Sequence, residues 1–110
     1  MTYDVEIAEL ALHDIDEFAA WLSEYSEEFM LAQLDRLEGV FRRALAQSPA
    51  TWGHFFITGA PYRAYLFRVG RRTSYWIVYI IDEDAGRVAV LRFWSASRDT
   101  ESFAVGGWSG

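Results

Sequence analysis

At 110 residues and 52% hydrophobic composition, the chain has the size of one domain, able to bury roughly two-thirds of the surface its unfolded form exposes. It contains no cysteine, which excludes disulfide staples and thiolate metal sites. No apolar run approaches the ~20 residues of a membrane helix, and Met1 to Asp4 lacks the cationic start of a signal peptide, so a cytoplasmic protein with no membrane partner is expected. The net charge of −6 is unevenly spread: residues 1–54 carry three arginines against eleven acids, whereas residues 55–98 carry seven arginines against three acids. The second half therefore has a field suited to an anionic partner.

Tyr3 to Ile7 alternates apolar and acidic residues and predicts a half-buried first strand. Asp14 and Glu17 have the spacing of a helix-start pair, although Ala8 to Leu12 is also compatible with helix; Ala11, Ile15, Phe18, Ala19 and Leu22 then recur at three- and four-residue intervals, predicting an amphipathic helix that ends near Tyr25. Ser26 is placed to cap a second helix whose first turn holds Glu27 and Glu28, acids favoured at the positive end of its dipole. Met30, Leu34, Leu37, Phe41 and Leu45 mark its buried stripe, and Pro49 stops it. The tight connection predicts an antiparallel helix hairpin.

Residues 48–61 begin and end in turn formers around an aromatic cluster, which predicts a long packed connection. Three strand-like runs follow, separated by Gly70, Arg71 and Arg72 and by Asp84, Ala85 and Gly86. The middle run, Tyr75 to Ile81, is apolar on both faces, as a covered central strand must be. The expected fold class is α+β: an N-terminal strand, an antiparallel helix hairpin and a three-stranded antiparallel meander, with both helices on one face of the sheet. Residues 100–110 read as a C-terminal tail in which Trp108 is either pinned to the body or offered to a partner.

This ordered set resembles the RelE/ParE superfamily, the toxins of bacterial type II toxin-antitoxin systems. The resemblance spans about residues 3–99, taken as the toxin domain. Its carriers are the acidic-apolar first strand, Pro49 with Trp52 and Gly53 after the second helix, Pro61, Tyr62 and Arg63 entering the meander, Tyr75 to Asp82 with Tyr79 near its end, and Val90 to Trp94 leading to Arg98 and Asp99. The resemblance implies growth inhibition, a cognate antitoxin as partner, a toxin-antitoxin hetero-oligomer, and either DNA gyrase or the ribosome and its mRNA as target. It implies no cofactor.

Superfamily members that cut mRNA use the 2′-hydroxyl as nucleophile, which needs a base, cations for the transition state and an acid for the leaving oxygen. For such a ribonuclease the resemblance singles out Arg63, Tyr79 and Arg98 as catalytic residues. Relatives often show histidine before the terminal arginine where this chain has Ser95, which cannot titrate near neutrality. The absent base and the acidic bulk favour ParE-like gyrase inhibition; a RelE-like ribosome-dependent mRNA endonuclease and a degenerate, non-toxic partner-binding module are the alternatives. Arg92, Trp94, Ser95, Arg98 and Trp108 are the candidate partner-binding residues. Of these, Arg92 sits in an apolar strand and must be paired or face water, because burying it alone is prohibitively costly. His13 and His54 are too few and too far apart in sequence to suggest a metal site.

Overall fold

The computed structural model describes residues 2–53 and 61–98. Strand β1 (Asp4–Ile7) leads into α1 (Glu9–Ser23) and α2 (Glu27–Gly39), which continues as a π-helical segment (Val40–Leu45); a 3₁₀ turn (Pro49–Thr51) precedes β2 (Arg63–Val69), β3 (Thr73–Asp82) and β4 (Arg87–Ser95). The sheet order is β1-β4-β3-β2. The meander is antiparallel, as its two short turns require, and β1 returns to lie parallel to β4, pairing Asp4 with Arg87 through Ile7 with Val90. The expected α+β architecture is therefore present.

Local chemistry explains the element ends. Ser26 Oγ accepts the Phe29 N–H at 3.1 Å, the expected N-cap of α2. Gly70 (φ 68°) and Gly86 (φ 63°) supply the left-handed residue that each hairpin turn needs. α1, by contrast, begins at Glu9 with no side-chain cap. Its entry is fixed by the Ala8 N–H, which donates to Val90 O at 2.8 Å and prolongs the β1–β4 ladder. Asp14 is thus inside the helix and does not cap it.

The π segment departs from the expected continuous α-helix. Its backbone bonds run i→i+5 and widen the turn, which shifts the direction of the side chains that follow. Leu37, Phe41 and Leu45, spaced four apart across the junction of α2 and this segment, all join the core.

Tyr65, Phe67, Tyr75, Ile77, Tyr79, Val88, Val90 and Phe93 meet Ala11, Phe18 and Leu22 of α1 and Leu34 and Leu37 of α2 in one hydrophobic core. At its centre Phe18 lies edge-on to Tyr75, with ring centroids 4.9 Å apart, and at the same distance from Phe93; Tyr75 and Phe93 stack at 4.5 Å. The opposite face is itself partly packed: Ala64, Val78 and Trp94 are buried and Tyr62 and Trp76 pack against them. Trp76 and Trp94 are cross-strand neighbours, and two such large side chains cover the small residues between strands.

Candidate functional site

Strand alternation alone would put Arg92 on the same face as Val88 and Val90, in the core. A β-bulge prevents this: Tyr79 pairs with Val90 and Val78 with Arg92, so Leu91 is the extra residue. Bulges re-aim side chains in this way. Arg92 reaches the edge of β4 beyond the last β1 pair, where Asp14 of α1 receives it. Arg92 Nε donates to Asp14 Oδ2 at 2.7 Å and Arg92 Nη2 to Oδ1 at 2.9 Å, a bidentate pair with side chains 11% and 9% exposed. Asp14 Oδ2 also accepts the Phe93 N–H at 3.0 Å, which satisfies the edge where β1 has ended. One carboxylate thus joins α1 to both the side chain and the backbone of β4.

Trp94 is 2% exposed and underlies two cations, with the Arg92 guanidinium 4.8 Å and the Arg98 guanidinium 4.0 Å from its ring centroid. Arg98 is itself exposed and lines a cleft of about 180 Å³ with Asp14, Glu17, Trp21 and Ser95. Ser95 Oγ and Ser97 Oγ hydrogen bond to each other at 3.0 Å. Of the candidate partner-binding residues, then, Arg92, Trp94, Ser95 and Arg98 gather at the C-terminal exit of β4. Trp108 lies outside the described residues, as does His54.

The candidate catalytic residues do not gather with them. Arg63 pairs with Tyr79 across β2 and β3, whereas Trp94, which carries Arg98, pairs with Trp76; Tyr79 and Trp76 are three positions apart on β3, about 10 Å along the strand. Arg63 Nη1 donates to Trp52 O at 2.6 Å and to Ala50 O at 3.3 Å, holding the segment after α2 onto the sheet. Among the described residues Arg63 forms no ion pair with a helix carboxylate. Tyr79 is fully buried, and its hydroxyl donates to Pro49 O at 2.5 Å. Burial pushes the phenol well above its usual range, and the nearby Arg63 guanidinium only partly opposes that shift. His13, the one described histidine, lies 3.1 Å from Glu17 on the exposed face of α1.

A family model described as the ParE toxin of the type II toxin-antitoxin system parDE matches residues 5–100. The chain belongs to the ParE toxin family. No curated protein matches it. Membership makes it the toxin of a type II toxin-antitoxin system, with an antitoxin as its implied partner. No described helix is long and apolar enough to cross a membrane.

Asp14 is the residue of this candidate site that sequence reasoning missed. Its distance in sequence from Arg92 hides the pairing. The one available signal was an arginine inside an apolar strand, which demanded a carboxylate from elsewhere in the chain.

Proposed function

We propose that this ParE-family toxin arrests growth by inhibiting DNA gyrase and that its antitoxin prevents this by binding it. The observation that carries the reading is the state of Tyr79: a fully buried phenol donating to Pro49 O has neither the access nor the acidity to exchange protons with an RNA strand. Arg63 is similarly engaged with backbone carbonyls, and Ser95 offers no group that titrates near neutrality. A toxin that acts by holding a protein–DNA complex needs no such acid-base pair. It needs a contact surface, and the exposed Arg98 beside Ser95 and Ser97 suits one.

Expression without antitoxin is expected to induce DNA-damage signalling and stop replication while protein synthesis initially continues. Tyr79→Phe is expected to retain the arrest, because it deletes only the phenolic oxygen; leaving Pro49 O unpaired costs stability of about 1–3 kcal/mol. Cleaved ribosome-bound mRNA in cells making the wild-type chain, lost in a folded Tyr79→Phe variant, would overturn the gyrase reading in favour of the ribonuclease.

A further inference from the structure

The two ends of the sheet differ in charge chemistry. At one end lie Asp82, Glu83 and Asp84 with Asp4 and Glu6 of β1, and the arginine there, Arg87, is spent on Glu6 at 3.5 Å and Asp82 at 3.6 Å. About 30 Å away along β3 lie the Gly70 turn and the exit of β4. That end holds Arg68, Arg71, Arg72 and Arg98, all exposed. None of these four forms an ion pair among the described residues, whereas Arg42, Arg87 and Arg92 do. Between the turn and the exit, Arg72, Thr73, Ser74, Ser95, Ala96 and Ser97 line a cleft of about 260 Å³ with no carboxylate in its wall. Ser95 also lines the neighbouring cleft of Arg98, so the two cavities adjoin.

Hydrogen bonding sets what the cleft can hold. Two backbone N–H groups of its wall are occupied: Ala96 N donates to Ser74 O and Ser97 N to Ser95 Oγ. The Thr73 and Ser74 hydroxyls, one of the two hydroxyls in the Ser95–Ser97 pair and the Arg72 guanidinium remain as donors. A planar guanidinium fork with several rotatable hydroxyls matches the tetrahedral oxygens of a phosphate. Arg98, whose guanidinium lies over the Trp94 ring at 4.0 Å, offers a second cation beside it. We propose that this end of the sheet is a phosphodiester-binding site, with one backbone phosphate seated among Arg72, Thr73, Ser74 and the Ser95–Ser97 pair and the strand continuing past Arg98. The acidic opposite end of the sheet repels a polyanion and so favours its binding at this end. The site goes beyond the gyrase reading and does not depend on it, since DNA and RNA both carry the group.

Short DNA and RNA oligonucleotides titrated separately into the full ¹⁵N-labelled chain at low salt test the assignment. The amides of Thr73, Ser74 and residues 95–98 are expected to shift first with whichever strand binds, so the two arms identify the source of the phosphate. Arg72→Ala is expected to weaken binding and to reduce the slope of log affinity against log salt by about one, the signature of one lost phosphate contact; Arg98→Ala is expected to do the same, and Arg42→Ala on α2 to change neither. Absence of binding by either strand, equal losses in Arg42→Ala, or displacement of the oligonucleotide by inorganic phosphate at matched phosphate concentration would each overturn the phosphodiester assignment.

Discussion

Replacing Asp14 with alanine is expected to destabilise the domain by about 3–5 kcal/mol, because it leaves the Arg92 guanidinium largely buried without its counter-charge. The Phe93 N–H at the β4 edge loses its acceptor in the same step, which adds to the damage. A domain of this size has a total stability of about 5–15 kcal/mol, so the variant would sit near its unfolding threshold. Asp14→Asn separates the two contributions: an amide oxygen still accepts from Phe93, whereas the charge pair is gone, and an intermediate loss is expected. In Asp14→Leu combined with Arg92→Met both charges disappear and most of the ion-pair part should return, since apolar replacements of buried pairs are often neutral. Urea unfolding of the four proteins checks the series. A single Asp14→Ala loss below about 1 kcal/mol would place the pair among ordinary surface salt bridges.

The second large effect is expected at Phe18. Its ring touches both central aromatics of the sheet, Tyr75 and Phe93, and it is 3% exposed. Phe18→Ala removes that ring and opens a cavity which α1 cannot close, because Asp14 holds the same helix to β4 one turn away. The expected loss is about 3–5 kcal/mol. At about 4 °C per kcal/mol for a chain of this length, the midpoint of thermal unfolding should fall by more than 10 °C. Phe18→Leu should cost less, as it fills part of the space. Equal midpoints for wild type and Phe18→Ala in calorimetry would mean that the helix hairpin is not what stabilises the sheet.

Much of this fold is legible in the sequence because its signals are local. The Ser26 cap, the left-handed turn residues Gly70 and Gly86, and the apolar run of β3 each act within a few residues, and each appears where the sequence predicts it. Sheet order is different. The parallel return of β1 beside β4 depends on contacts between residues about 80 apart, such as Asp4 with Arg87, and no local pattern encodes them. The Leu91 bulge and the π turn at Val40–Leu45 are hidden for a related reason, since both are small register changes that depend on what the neighbouring element must bury.

The site divides the same way. Sequence marks Arg92 as a charge in need of a partner, yet nothing near it names Asp14, whose spacing to Glu17 suggests a helix start instead. Tyr79 stands out as a phenol near a strand end and as part of the family resemblance, but whether it faces solvent or Pro49 depends on how residues 49–53 fold back across β2. Arg63 makes the same point: its position beside Pro61 and Tyr62 suggests an edge cation, and the carbonyls that engage it, those of Ala50 and Trp52, come from the first part of the long connection. Exposure is legible for Arg98, which follows the last strand on a short polar segment, and for Arg71 and Arg72 at a turn tip; all three are exposed.

The most direct test of the functional account is a supercoiling assay with purified gyrase, relaxed plasmid and the purified full-length chain, run beside a reconstituted translation system. The toxin is expected to block supercoiling, added antitoxin to restore it, and translation with intact mRNA to continue at toxin concentrations that stop gyrase. Unimpeded supercoiling with mRNA cleaved on the ribosome would contradict the gyrase reading.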